Sequence, residues 1–274
     1  MMEDKDPIKI FIGSGEASLL ERKTLIYSLH KHTKRNLDIY VFNGTHNSIE
    51  HDQEEAALAP LPLKLKYRNG TTEFGLYRYL IPQICQYRGR AIYLDSDIIC
   101  MADISELWEA ELTEFDFLAL PTVETGQLLH RTSVSLINCD RCRFDLDTIF
   151  AEIDRGVYSH YPDFSGMSSD LLEHHPYRIG PLDPRWNSLD YWNSETKAIH
   201  YTRLTTQPWK YYNHAYGELW FKYFREAIAA GYISCNDVAL SIERAYVRRD
   251  IMHGNFWYQS VLKQFQLKLA QFIA

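Results

Sequence analysis

Apolar positions along this chain switch between a period of two and a period near 3.6, and the switches divide it into strands and helices in turn. Ile8 to Ile12 is a short β-rich run that ends in Gly13-Ser14-Gly15, after which Leu19, Leu20, Leu25, Ile26 and Leu29 recur at helical spacing. Leu37 to Phe42 predicts the next strand, closed by Asn43-Gly44, with a short helix at Glu54 to Leu58 and a further strand at Leu63 to Lys66. Phe74 to Tyr87 reads as a helix bearing Arg78, and Arg90 to Leu94 as the strand that follows it. A short helix near Asp103 to Trp108, strands at Phe115 to Leu120 and Ser133 to Asn138, and a helix from Phe144 to Ile153 complete this stretch. Strand, helix and strand in repeated order predict an α/β fold around a mostly parallel sheet, in which ligands bind beyond the carboxyl ends of the strands.

From Tyr158 to Tyr212 the periodicity gives way to loops that hold Tyr161, Phe164, Tyr177, Trp186, Tyr191, Trp192, Trp209, Tyr211 and Tyr212 among five prolines. Aromatic faces flanked by polar groups suit sugar rings, which present C–H faces and hydroxyl edges, while core packing accounts for about half of such aromatics. Beyond Gly217 the pattern is helical again, through Leu219, Phe221, Phe224 and Ile228, then Val238, Leu240 and Ile242, and last Phe256 to Ile273. That last segment is amphipathic but carries only Lys263 and Lys268 from Val261 onward, so it is expected to pack on the domain or a second subunit, with peripheral membrane contact as the alternative.

Chemistry enters at Ala91-Ile92-Tyr93-Leu94-Asp95-Ser96-Asp97, where two carboxylates follow an apolar strand. Alternate strand residues face one way, so Asp95 and Asp97 can share one divalent cation, and a cation with open positions can take diphosphate oxygens as its remaining ligands. The same spacing recurs at Asp4-Lys5-Asp6, in a polar tail, and at Asp145-Leu146-Asp147, in a helical segment where residues two apart do not face each other. Only Asp95 and Asp97 lie between apolar runs, with Ile98-Ile99 after them.

Composition narrows the partners. The 274 residues are 46% hydrophobic and 14% aromatic, enough for a sizeable core, and the net charge of −7 without any dense basic cluster argues against nucleic acid. No stretch approaches the ~20 apolar residues that cross a bilayer, and the opening residues carry no apolar signal region, so a cytoplasmic protein is expected. Five cysteines, an odd number, are expected as reduced thiols; Cys139-Asp140-Arg141-Cys142 has metal-knuckle spacing but lacks a second ligand pair. Asn43-Gly44-Thr45 and Asn69-Gly70-Thr71 are expected as tight turns rather than glycosylation sites.

Tyr93-Leu94-Asp95-Ser96-Asp97-Ile98-Ile99, preceded by Tyr77-Arg78-Tyr79-Leu80-Ile81-Pro82 and followed by Asp103-Ile104-Ser105-Glu106-Leu107-Trp108, resembles the GT-A glycosyltransferases of family 8. Lys197-Ala198-Ile199-His200-Tyr201-Thr202 and then Gln207-Pro208-Trp209 are similar to that family's closing His and Pro-Trp motif, so the resemblance covers most of residues 8 to 212. It implies a GT-A fold in one domain over 1–274: a nucleotide-binding half at about 8–110, an acceptor and sugar half at about 111–212, and a helical extension at about 213–274. It also implies that Asp95, Asp97 and His200 bind a divalent cation, manganese or else magnesium, that holds the diphosphate of a nucleotide sugar. An imidazole in the ligand set favours manganese. Arg78 matches an arginine placed near the donor, its alternative being a salt bridge to Glu73 or another acid. Ile12, Gly13, Ser14 and Ser96 complete the expected donor contacts.

The chain departs from the family pattern where Gln207 replaces the usual lysine before Pro-Trp, one residue further from His200 than is common. Lys210 or Arg203 is the candidate to supply the missing cation at the diphosphate. Ser133 lies where the family often shows Asn-x-Gly, and Ser168-Ser169-Asp170 stands for the usual Asp-Gln pair, with Asp170 either a sugar contact or a helix-surface carboxylate. Trp186, Asn187, Asp190 and Trp209 are the other candidates for the sugar or acceptor, Trp186 being core or cleft. The expected function is metal-dependent transfer of a hexosyl group from a UDP-sugar to a saccharide or glycan precursor, with retention. A non-catalytic nucleotide or sugar binder is the alternative, and a sugar nucleotidyltransferase is disfavoured because Gly13-Ser14-Gly15-Glu16 has no basic residue before Arg22.

Overall fold

The computed structural model describes residues 6–53, 57–62, 72 and 74–253. β1 (Ile8–Ser14) runs through the middle of the molecule, its alternating side chains buried on both faces, and feeds α1 (Leu19–His32) through the turn at Gly15. β2 (Leu37–Asn43) returns parallel to β1, with Ile10 opposite Ile39 and Ser14 opposite Asn43. β3 (Ser48–His51) and β4 (Ala57–Pro60) extend this edge in antiparallel fashion. The expected helix over Glu54 to Leu58 is thus a strand at its described end, since Ala57 and Ala59 pair with Glu50 and Ile49. The expected strand at Leu63 to Lys66, the turn at Asn69-Gly70 and the terminal helix from Phe256 lie outside the described residues.

Phe74 to Tyr87 is shorter in helix than its spacing predicts, with a 3-10 turn at Tyr77–Leu80 followed by α2 (Ile81–Ile84). Pro82 in the first turn of α2 starts the helix with a fixed φ, and Gln86 and Tyr87 end the segment at φ of 54° and 56°, where no helix continues. β5 (Arg90–Asp95) then enters beside β1, parallel, so that Gly13 lies opposite Asp95. β6 (Ile98–Cys100) and α3 (Ser105–Trp108) come next.

β7 (Phe117–Glu124) and β8 (Gln127–Asn138) form a hairpin closed by Thr125-Gly126, both at positive φ, which is the two-residue turn that suits strand twist. That turn makes the pair antiparallel, and β8 also lies antiparallel to β5. The sheet order is β4-β3-β2-β1-β5-β8-β7-β9, where β9 (Ile179–Pro181) is parallel to β7. The centre is parallel as the sequence implies, while β3 and β4 on one side and β8 and β7 on the other join antiparallel. α4 (Leu146–Asp154) and α5 (Ser169–His174) belong to one face, where Phe11, Tyr77, Tyr93, Phe117 and Phe164 share a core. Ile10, Ile12, Leu25, Leu29, Ile92 and Leu94 form the core on the other face.

A second sheet is small: β10 (Ser188–Leu189), β11 (Ala198–His200) and β6, in that order. α6 (Gly217–Ala229) and α7 (Cys235–Glu243) cover it through a third core built on Trp209, Trp220, Phe221 and Ile199. Cys139 and Cys142 are buried and, like Cys85, Cys100 and Cys235, are free thiols. Asp145 of the second Asp-x-Asp triplet caps α4, accepting from the Thr148 amide at 3.1 Å. No helix among the described residues is long and apolar enough to cross a membrane.

Candidate active site

The acidic pair stands where two parallel strands end together. β5 delivers Asp95 at its carboxyl terminus beside Gly13, and after the turn through Ser96 and Asp97 the chain doubles away as β6. β6 pairs antiparallel with β11, Ile98 opposite His200, and the Tyr201 amide donates to the Asp97 carbonyl at 3.0 Å. This pairing brings an imidazole from late in the chain to the acidic turn. One ligand atom from each of Asp95, Asp97 and His200 lies within 4.8 Å of the others, and among the described residues this is the one such cluster.

Two of the three candidate ligands, Asp95 and His200, are held from behind. Tyr93, two residues before Asp95 and on the same strand face, donates its hydroxyl to Asp95 Oδ1 at 2.7 Å, and Arg78 Nη2 donates to that oxygen at 3.0 Å. Arg78 is fixed in turn by the Gly75 carbonyl (2.7 Å), by Thr132 Oγ1 (3.2 Å) and by the Tyr93 ring, 4.4 Å below its guanidinium. Both bonds to Asp95 use Oδ1. Gly13 makes this possible: a Cβ there would collide with the Tyr93 hydroxyl and lie 2.7 Å from the Phe74 ring. His200 is buried with Nδ1 3.0 Å from Asn187 Oδ1, which fixes Nδ1 as the protonated nitrogen and turns Nε2 towards Asp97 Oδ1, 2.9 Å away. Asn187 Nδ2 donates to Ser133 Oγ at 3.0 Å. Burial works against a charge on His200, but the neighbouring Asp97 carboxylate outweighs it and raises the imidazole above its ordinary value.

These groups open into a cleft of about 850 Å³. Its lining includes Asp95, Ser96, Asp97, Arg78, Ser133, Gln207, Trp209 and Lys210. Gln207 is buried, with its amide donating to the Tyr201 carbonyl at 3.3 Å, so the position of the family's lysine is spent on the local backbone. Lys210 lies three residues on, at the cleft. Gly15 and Ser18 line the cleft next to Ser14, whose hydroxyl is 3.2 Å from Ser18 Oγ and buried; Ile12 is in the core.

Other candidates are placed elsewhere. Trp186 packs in the core with Ile98, Leu182 and Ala198. Arg203 is exposed, its Nε 4.0 Å from Asp190, and neither residue lines the cleft. Asp190 braces the loop after β11 instead: its amide donates to the His200 carbonyl, and its carboxylate takes Thr202 Oγ1 at 2.5 Å and pairs with His214. Asp170 is exposed on α5, away from the cleft lining. Sequence reasoning missed Tyr93, although its i, i+2 relation to Asp95 was a readable signal, and it missed Glu21. Glu21 lines the cleft from the first turn of α1, is buried, and has Oε2 without a hydrogen-bond partner. Burial pushes its carboxyl up to about 8, with Lys210 pulling the other way and Asp97 adding to the rise.

A mixed sheet with an acidic turn at the ends of its central strands defines a nucleotide-sugar transferase fold of the GT-A kind. Residues 10–144, just under half of the chain, match the model of Glycosyl transferase family 8, and this match supports a glycosyltransferase similar to that family. Among curated proteins, Protein CDI of Arabidopsis thaliana is 22% identical over 223 residues, which are 73% of this chain and 79% of that protein. Among solved structures, the apo structure of the WbbM bifunctional glycosyltransferase is similar with a TM-score of 0.58 at 14% identity, over 82% of this chain and 52% of that one. This chain therefore spans about half of WbbM's length. The galactosyltransferase LgtC, in complex with donor and acceptor sugar analogs, is similar with a TM-score of 0.57 at 12% identity, over 80% of this chain and 96% of LgtC.

Proposed function

We propose that this glycosyltransferase moves a hexosyl group from a UDP-sugar to a saccharide or glycan precursor, with a divalent cation and with retention at the anomeric carbon. The observation that carries the reading is the convergence of Asp95 and Asp97, which line the cleft, with the buried His200 beside them. Two carboxylates and a borderline nitrogen donor fit manganese best and magnesium next. The donor set is also prepared for an ion, since Asn187 fixes the His200 tautomer that presents Nε2. When bound, such a cation supplies positive charge to the oxygens of the leaving diphosphate.

The chain's own residues do the rest. Gly15 and Ser18 offer the turn at the end of β1 to the nucleotide, with Ser96 across from them. Arg78 acts as a brace: its Nε, Nη1 and Nη2 are all engaged, and what it fixes is the direction of Asp95. Lys210 takes the charge-neutralising role that Gln207 has given up. In a retaining transfer the bond from the anomeric carbon to the phosphate oxygen breaks as the bond to the acceptor oxygen forms, and the acceptor proton goes to the departing phosphate. No positioned general base is then required. Free thiols throughout suit a reducing compartment such as the cytoplasm.

The test is release of nucleoside diphosphate by the chelator-stripped full chain, with manganese restored, over a panel of UDP-, GDP- and ADP-hexoses. Release from a UDP-hexose that stops again on chelation is the expected result. A protein whose melting temperature rises with manganese and UDP but which releases no diphosphate from any donor is a binder, and overturns the reading.

A further inference from the structure

The cleft has a second stretch of lining, formed by the β7–β8 hairpin and the turn at residues 160–164. The hairpin runs on past Pro121 and His130 as a two-stranded ribbon to Glu124 and Gln127, and Glu124, Arg131 and Tyr161 from this wall line the same cleft as the acidic pair. Glu124 ties the three together: its Oε1 accepts from Arg131 Nη2 at 2.5 Å and its Oε2 from the Tyr161 hydroxyl at 3.2 Å. The Tyr161 side chain is nevertheless 63% exposed, so its hydroxyl is anchored while its ring remains open to a ligand.

The same strand joins this wall to the reacting centre. Arg131, Thr132 and Ser133 are consecutive on β8; Thr132 holds Arg78, and Ser133 holds Asn187. Arg131 is therefore about 7 Å of strand, at ~3.3 Å per residue, from Ser133, which holds the Asn187 that orients the His200 tautomer.

Building on the transfer reading above, we propose that Tyr161, Glu124 and Arg131 form the acceptor subsite and bind an uncharged pyranose unit. The sugar's C–H face lies on the Tyr161 ring, and neighbouring hydroxyls bridge the carboxylate and the guanidinium. The chemistry matches group by group. A hydroxyl both donates and accepts, so two adjacent ones satisfy a paired carboxylate and guanidinium together. An acceptor carrying its own charge is opposed by one member of that pair. An aromatic ring whose tip is already hydrogen-bonded loses little freedom on stacking, which suits a subsite that must recognise a flexible, hydrated ligand.

The probes are methyl β-galactopyranoside, methyl α-glucopyranoside and lactose, with methyl glucuronide as the charged counterpart. Saturation-transfer NMR in the presence of diamagnetic magnesium and UDP reads contact without turnover, and steady-state kinetics with manganese read it with turnover. Wild-type protein is expected to contact at least one neutral probe, Tyr161→Ala to lose that contact, and Tyr161→Phe, which keeps the ring, to retain it. In kinetics, Tyr161→Ala and Glu124→Gln raise the acceptor KM about tenfold and leave the donor KM in place. An unchanged acceptor KM or NMR contact in Tyr161→Ala, absence of contact with every neutral probe, or preference for the glucuronide overturns the proposal. Because the NMR arm needs no turnover, a protein that binds these probes through Tyr161 yet transfers nothing leaves the subsite standing while the transfer reading falls.

Discussion

On the ion side of the cleft, Asp95 is held by Tyr93 and Arg78, His200 by Asn187, and Asn187 by Ser133; on the hairpin side, Tyr161 lies open to solvent and Arg131 is half-buried, with Glu124 bonded to both. The first wall is completed as the chain folds, so its geometry costs nothing further when a ligand arrives. The second wall keeps its surface for the ligand and has one internal contact point. The difference teaches how a single fold can hold a fixed reacting centre and a variable acceptor. The centre hangs on paired strands and buried partners, whereas the acceptor surface is on a hairpin tip and a turn, where substitutions disturb little else.

Three changes probe the prepared wall in descending order of effect. Asp97→Ala removes a half-buried carboxylate whose near neighbours are another acid and an imidazole, so the fold should keep its circular dichroism and melt within a few degrees of wild type. Diphosphate release should fall about 10³-fold, as expected if the ion contributes ~4 kcal/mol to the transition state. A variant with normal rate and normal manganese dependence would break the comparison at its root.

Asn187→Ala acts one step further back. It leaves all three ligands in place and frees the His200 ring, so manganese binding by calorimetry should weaken about 10- to 100-fold. Saturating manganese should restore most of the rate, which separates a residue that orients a ligand from a residue that is one.

Glu21→Gln gives the smallest effect, and its signature is in stability. An ordinary glutamate titrates near 4.5, whereas burial raises Glu21 to about 8. The folded state thus binds the proton more tightly than the unfolded chain does. The resulting stability is present in full below pH 4.5, declines by up to ~1.4 kcal/mol per pH unit between 4.5 and 8, and is level above that. Glutamine has no proton to lose, so the variant should melt several degrees above wild type at pH 8.5, with the gap closing by pH 5. Equal melting temperatures at pH 8.5 would mean that Glu21 is ionised and solvated, and that the ion-side wall is less closed than its hydrogen bonds indicate.

β1, α1, β2 and β5 were readable because their apolar residues alternate, recur at helical spacing or, in β5, form an unbroken run of four. β10 and β11 were not. Ser188–Leu189 and Ala198–His200 are strands only because β6 is there to pair with them, and a two- or three-residue segment carries no period of its own. Phe74 to Tyr87 misled in a different way: its apolar spacing is helical, but Pro82 and the left-handed Gln86 and Tyr87 confine it to single turns. In the cleft, the acidic pair was visible from local sequence, while the late histidine needed the family motif around it. Asn187 and Trp186 illustrate why loop aromatics and amides resist assignment. The two are adjacent, yet one reaches back to hold His200 and the other fills the core, and only the packing of β10 beside β11 decides which does which. Glu21 left no trace at all, since a glutamate in the first turn of a helix is what the helix dipole alone would select.

The antiparallel contact between Ile98 and His200 also ties the site to the order of events during synthesis and folding. Two ligands leave the ribosome about a hundred residues before the third, a separation that makes their meeting a late, long-range closure. An ion held there would act as a staple across that closure, so withdrawing it should loosen the small sheet first and leave the large one standing.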